Sequence, residues 1–209
     1  IVTVLARLGG APVAIVANQP AAKAGAIDSE SADKVAHFID VADAFHLPLV
    51  FLADNPGVLA GTAAERSGVL RHAARMFAAQ ARARSPKLHV TLRKAYGFGS
   101  SLMAMNPFDR QTVSLAFPGA RLGAMPATGG GAAAGIDGDA QQVLDHAELG
   151  GAYSSADTMS YDEVIEPREL RNALLAALRL PAARRSQAPE PARHHGITPE
   201  GSRCVSHRR

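Results

Sequence analysis

The sequence predicts an α/β fold in one domain, and three observations carry that reading. Residues 49–53 (Leu-Val-Phe-Leu-Ala) form a continuous apolar run of strand length, the pattern of a strand buried on both faces. Residues 29–44 and 65–84 carry apolar positions at helical spacing, so strand and helix signals alternate along the chain. The composition is 47% hydrophobic, heavy in Ala and Gly and without Trp. Helices packed tightly on a sheet suit it better than an aromatic recognition surface.

Each element has its own local reason. Residues 1–8 and 11–17 are β-rich runs joined by Gly9-Gly10, a hairpin signature. The first of them reads as a strand already in progress, without the basic leader and cleavage site of a signal peptide. Residues 18–27 are irregular, broken by Pro20 and Gly25. Residues 29–44 read as a helix capped by Ser29 or Ser31, with Val35, Ile39 and Ala42 on one stripe. The strand over 49–53 ends at Asp54-Asn55-Pro56-Gly57. A helix over 65–84 turns Val69, Ala73, Met76, Phe77 and Ala81 inward and Arg71, Arg75 and Arg82 outward.

A strand over 88–92 leads to a glycine loop at Gly97-Phe98-Gly99. A short helix over 100–105, a strand over 112–117 and an extended piece over 121–125 follow. Residues 129–131 (Gly-Gly-Gly) read as flexible, 137–149 as helical and 163–165 as a short strand. Residues 166–180 form a helix with Pro167 in its first turn. Beyond 180, Pro, Arg, His and Ser dominate without periodicity. The expected division is therefore a folded domain over 1–180 and a disordered basic tail over 181–209.

Charge and cysteine usage exclude several classes. The isoelectric point of about 9.4 suggests a basic protein, but the charge is not where a nucleic-acid surface needs it. From Pro181 onward six Arg face only Glu190 and Glu200, a net +4, so residues 1–180 carry −1 of the total +3. The single cysteine, Cys204, forms no internal disulfide, and no Cys/His cluster has metal-ligand spacing. No run approaches the roughly 20 apolar residues of a membrane span. A cytoplasmic protein that binds neither nucleic acid, membrane nor metal is expected.

Several stretches then resemble, in order, the carboxyltransferase β subunits of propionyl-CoA and acetyl-CoA carboxylases. They include Ala6-Arg7-Leu8-Gly9-Gly10, Pro12-Val13, Asn18-Gln19-Pro20, Ser31-x-Asp33-Lys34 and Pro48-Leu49-Val50. Asp54-x-Pro56-Gly57-x-x-x-Gly61, Arg71-His72, Pro86-Lys87, Thr91-x-Arg93-Lys94-Ala95-Tyr96-Gly97 and Pro167-x-x-x-Arg171 continue the series. Arg193-His194-His195-Gly196 resembles the family's usual chain end. The resemblance covers residues 1–136 and 161–199, and between Gly135 and Tyr161 this chain is shorter than the family segment.

The resemblance implies a crotonase-like (ClpP/crotonase) C-terminal subdomain, the C-terminal half of such a carboxyltransferase. It implies transfer of a carboxyl group from carboxybiotin, delivered on a separate carrier domain, to the α-carbon of a short acyl-CoA. No cofactor is then bound covalently here. The partners implied are acyl-CoA, biotin carboxyl carrier and biotin carboxylase subunits, an N-terminal carboxyltransferase half and further copies of the chain.

That chemistry places negative charge on oxygen, which fixed backbone N–H groups in a dry pocket stabilise best. A glycine-rich turn from strand into helix offers such groups. In the family the amides two and three residues after the conserved Tyr form one oxyanion hole, which here are Phe98 and Gly99. Phe98 stands where the family has glycine, so a degenerate assembly subunit is an open alternative. Gly97, Ser100 and Ser101 are expected to contact substrate, although serines at a helix start also serve as caps. Asp54, Pro56, Gly57 and Gly61 form either a pocket wall at a strand end or an Asx-Pro turn. Gly129 and Gly130 belong either to a second loop near the site or to a linker. Lys87 and Lys94 are candidate attractors of CoA phosphates. A serine hydrolase using Ser100 or Ser101 with His72 as base is the competing enzyme class.

Overall fold

The computed structural model describes residues 1–106, 109–136 and 138–184, with side chains through residue 180. The expected α/β architecture is present. A seven-stranded sheet runs in the order β1-β2-β3-β4-β5-β7, with β6 beside the end of β4. The strands are β1 (Val2–Leu8), β2 (Ala11–Ala17), β3 (Leu49–Asn55), β4 (Lys87–Tyr96), β5 (Val113–Ala116), β6 (Arg121–Gly123) and β7 (Glu163–Val164). β1 and β2 form the predicted antiparallel hairpin, and every other pairing is parallel.

Successive strand residues point to opposite faces, and both faces are covered. Ala14, Leu49, Phe51 and Ala53 pack with residues of α1 (Ser29–Ala44) and α3 (Val69–Arg82). Val13, Val50, Leu88 and Val90 pack on the other side with Leu174 and Ala177 of α8 (Leu170–Arg184). This double coverage is why residues 49–53 read as unbroken apolar sequence.

The structure corrects several local expectations. The cap of α1 is Asp28, whose carboxylate accepts from the Ser31 N–H at 2.9 Å, so neither Ser29 nor Ser31 fills that role. The single helix over 65–84 is two, α2 (Thr62–Arg66) and α3, because Gly68 takes a left-handed conformation (φ +74°) between them. Ala81 lies outward, and Ala79 and Gln80 take the buried positions. Arg75 and Arg82 are only half-exposed, since they pair with Asp33 and Asp40 on α1.

β4 is twice the expected length. Its first half pairs with β5 (Leu88 to Thr91) and its last three residues with β6 (Lys94 to Tyr96). Polar Arg93 and Lys94 hide this extension from apolar periodicity. Helix α4 therefore begins directly at Gly97 and ends at Leu102, without an intervening loop. The three glycines at 129–131 lie inside α5 (Ala127–Ala134) rather than in a flexible segment. α6 (Gly138–Leu149) matches the expected helix, with Asp137 outside the described residues, and α7 (Gly151–Asp157) was not foreseen.

A 3-10 turn over Pro167–Glu169 precedes α8, which continues to Arg184 and so crosses the expected boundary at 180. The rest of the expected tail, Cys204 and the motif at 193–199 included, lies outside the described residues. No helix among the described residues is long and apolar enough to cross a membrane.

Candidate functional site

The carboxyl end of β3 and the start of α4 meet at one place. β3 delivers Asp54 and Asn55 to a turn through Pro56 and Gly57, and β4 delivers Tyr96 to Gly97. Asn55 is fully buried. Its Oδ1 accepts from the Gly57 N–H at 3.0 Å, and its Nδ2 donates to Asn18 Oδ1 at 3.1 Å. The same Asn18 oxygen accepts from the Asp54 N–H at 3.1 Å, while Asn18 Nδ2 donates to the Gly25 carbonyl at 3.3 Å. These paired amides give the turn a fixed shape, because releasing either would strand a buried polar group.

Gly99 sits directly on that turn. A Cβ at this position would lie 2.6 Å from Gly57 Cα and closer still to Asn55 Oδ1, so only glycine permits the approach. Gly97 is left-handed (φ +51°), and a Cβ there would lie 2.7 Å from the Ala124 carbonyl. Phe98 has no such constraint, since its φ is not among the positive values. Its ring packs on Phe77 of α3 at 5.8 Å between centroids. Phenylalanine is thus sterically admissible where the family has glycine, and the backbone amide is unaffected by it. The first N–H groups of a helix have no intrahelical acceptor, and in α4, capped by Tyr96, those within the helix are the amides of Gly97, Phe98 and Gly99.

Beside this junction lies a cleft of about 850 Å³, lined in part by Pro56, Arg93, Lys94, Tyr96, Arg121 and Glu148. Arg93 Nε pairs with Asp54 at 3.2 Å, so the Asp54 carboxylate is engaged at the rim. Glu148, from the last turn of α6, accepts from the Tyr96 hydroxyl and from the Ala127 N–H that opens α5, both at 2.5 Å. Arg121 stands 3.6 Å from the same carboxylate. Burial, reinforced by the bond to Glu148, pushes the Tyr96 phenol above its ordinary range and keeps it a neutral donor. Pro126, which precedes α5, and Thr128 in its first turn line the cleft, which brings the helix carrying Gly129 and Gly130 to the site.

The structure thus gathers Asp54, Pro56, Gly57, Gly97, Phe98, Gly99, Ser100 and Ser101 at one junction. Gly61 stands apart as the residue before α2, with open space where a Cβ would lie. Lys87 is not an exposed phosphate attractor. It is 1% exposed, and its ammonium donates to the Gln80 carbonyl at 2.9 Å. Burial lowers its pKa to about 8 against the opposing pull of Asp109. Lys94 does line the cleft.

Among the described residues no hydrogen bond joins His72 to Ser100 or Ser101, as the serine-hydrolase arrangement would need. The Ser100 hydroxyl donates to the Gly97 carbonyl at 2.6 Å, and His72 Nδ1 is bonded to Asp33 at 2.7 Å. Sequence reasoning gave no role to Asn18, Asn55, Arg121 or Glu148, and read Tyr96 only as part of the motif that leads into Gly97. Asn18 and Asn55 carried a signal, as amides adjoining strand ends. Glu148 carried none, because its partners lie 21 to 52 residues away.

Comparison with known proteins bears on the fold and its family. The sequence matches the family described as the carboxyl transferase domain over residues 1–197. It is 37% identical to the methylmalonyl-CoA carboxyltransferase 12S subunit of Propionibacterium freudenreichii subsp. shermanii, over 95% of this chain and 40% of that protein. It is 36% identical to a biotin-dependent acetyl-/propionyl-coenzyme A carboxylase beta5 subunit of Mycobacterium tuberculosis, over 95% of this chain and 38% of that one. A transcarboxylase 12S crystal structure with methylmalonyl-coenzyme A bound superposes with a TM-score of 0.81 at 35% identity. That match covers 93% of this chain and 38% of the structure. The fold is therefore the crotonase-like one of solved carboxyltransferases. The chain spans no more than about two fifths of the length of these relatives.

Proposed function

Since the chain belongs to the carboxyl transferase domain family, we propose that it is the C-terminal half of an acyl-CoA carboxylase carboxyltransferase. It moves the carboxyl group of carboxybiotin to the α-carbon of a short acyl-CoA such as propionyl-CoA or acetyl-CoA. The observation that carries this reading is the seating of Gly99 on Gly57 and Asn55, which presents the first amides of α4 beside the cleft.

The chemistry asked of these residues is charge stabilisation. Transfer takes a proton from the α-carbon of the thioester, which moves negative charge onto its carbonyl oxygen, and CO2 from carboxybiotin, which leaves charge on the ureido oxygen until the ureido nitrogen takes up that proton. The N–H groups of Phe98 and Gly99 donate to one such oxyanion. Because the helix start is already held, no reorganisation is needed as charge develops. Gly97, Ser100 and Ser101 border that position, and Asp54, Pro56 and Gly57 form the facing wall. Gly129 and Gly130 lie on the helix that bounds the cleft, and Gly61 is a more distant part of the same loop.

The second oxyanion site and the greater part of the CoA surface come from an N-terminal carboxyltransferase half. Biotin carboxyl carrier and biotin carboxylase subunits deliver the carboxyl group in the cytoplasm, and further copies of the chain complete an oligomer. Relatives named as carboxyltransferase and biotin-dependent carboxylase subunits support this set of partners. The test combines the chain with an N-terminal half, a biotin carrier and a biotin carboxylase. Radiolabelled bicarbonate is then followed into acid-stable product with propionyl-CoA or acetyl-CoA. Labelled biotin carrier without labelled acyl product would overturn the proposal.

A further inference from the structure

We propose that Gln80 and His89 are positioning residues for the amides of Phe98 and Gly99, an inference that rests on the oxyanion reading above. α4 has only six residues. A helix this short has few internal hydrogen bonds, so its direction is set by what holds its two ends. The start is fixed by the glycine contact with β3. The end is held by side chains donating to carbonyl oxygens at its exit, those of Ser101, which also accepts from the Ala104 N–H at 3.2 Å, and of Met103 just beyond the last turn.

Gln80 Nε2, from α3, donates to the Ser101 carbonyl at 3.1 Å. His89 Nδ1, from β4, donates to the Met103 carbonyl at 2.7 Å. The chain then turns sharply at Ala104, which is left-handed (φ +57°). Gln80 and His89 are both completely buried, and each is oriented by further partners. Gln80 Oε1 receives Lys87 Nζ at 3.3 Å and its Nε2 also donates to Asp109 at 3.0 Å, which fixes the amide's sense. His89 Nε2 meets Thr91 Oγ1 at 2.8 Å, and Thr91 in turn meets the Tyr161 hydroxyl at 2.7 Å. With Nδ1 donating to a carbonyl, Nε2 must accept from Thr91, and Tyr161 donates to Thr91.

Two buried and independently oriented donors, from different elements, thus grip one end of a two-turn helix whose other end carries the proposed oxyanion amides. Neither side chain contacts the cleft. A tilt of α4 displaces those amides from a developing charge while leaving the remaining CoA contacts in place.

The experiment uses the assembled complex and expresses kcat per complex. His89→Leu and Gln80→Glu each lower kcat by roughly 10- to 100-fold, the scale for a misplacement of about 1 Å, while the KM for propionyl-CoA stays within about twofold. His89→Asn, whose amide can take the place of Nδ1, keeps at least about a third of the unsubstituted kcat. If His89→Leu does not fold, Gln80→Glu, which preserves shape and the Lys87 contact, decides the question. Unchanged kcat in the folded variants, KM rising in step with the loss, or His89→Asn as impaired as His89→Leu overturns the positioning role. An unsubstituted complex without transfer overturns the functional reading itself, before any variant is compared.

Discussion

Gly99 has no room for one added methyl group, and the neighbours it would strike are a backbone and a hydrogen-bonded amide rather than a flexible side chain. Gly99→Ala therefore has to lift α4 from β3 or break the Asn18–Asn55 pairing. The expected result is a loss of transfer of about 100-fold or more, on the scale of removing an oxyanion donor. Melting temperature should fall in the same variant. A variant with unchanged kcat would show that the helix start is not part of the reacting site. Ser100 gives the opposite expectation. Its hydroxyl is spent on the Gly97 carbonyl, so Ser100→Ala should keep kcat within about threefold, losing only a neutral hydrogen bond of about 1 kcal/mol. Fluorophosphonate should label neither form. Labelling of Ser100 would restore the hydrolase.

The elements around the cleft differ in how they are held. β3 and β4 are locked between two apolar layers, whereas α5 and α6 join the cleft through Glu148 and its contacts with Tyr96, Ala127 and Arg121. Glu148→Ala should loosen that side, seen as faster amide hydrogen exchange in α5 and α6 with β3 and β4 unchanged. Equal exchange in both forms would show that other contacts carry the two helices. The same contrast explains what could be read from the sequence. β3 and the hairpin were legible because their apolar runs and Gly9-Gly10 are local signals. The split at Gly68 was not, since a single glycine does not disturb helical periodicity enough to distinguish a break from a tolerated residue. The extension of β4 was hidden by Arg93 and Lys94, whose place in a strand is dictated by the pairing with β6. Within the site, the glycines and the Asp-x-Pro-Gly turn were visible as motifs. The asparagine pair and Glu148 depend on contacts across the fold.

At the scale of the whole molecule, stability should depend on acid in a specific window. Burial lowers the His89 pKa to about 4 from an ordinary value of 6.5, partly offset by its bond to the Met103 carbonyl. Between those values the unfolded chain binds a proton that the folded chain refuses. His89's contribution is therefore fully present above pH 6.5 and is lost as pH falls from 6.5 through 4, up to about 3 kcal/mol. Urea unfolding of the chain across this range should show the slope, and His89→Asn should flatten it. An identical slope in both would assign the effect to other groups. Under the proposed function, activity belongs to a larger assembly, and the chain spans about two fifths of the length of the relatives compared. The chain on its own is expected to give no measurable transfer in the bicarbonate assay, and the added N-terminal half should restore it. Transfer by the isolated chain would show that both oxyanion sites reside within these 209 residues.

The bond between Thr91 and Tyr161 spans 70 residues, and that separation has a consequence for synthesis on the ribosome. His89 and Thr91 emerge with β4, but the tyrosine that completes their chain is made only after α7. At ribosomal rates of roughly 5–20 residues per second, several seconds pass with that polar pair incompletely satisfied. Early closure of the sheet around it is correspondingly disfavoured. The segment between α7 and β7 thus acts as a timing element: the polar chain beneath α4 is complete only once residue 161 has been made.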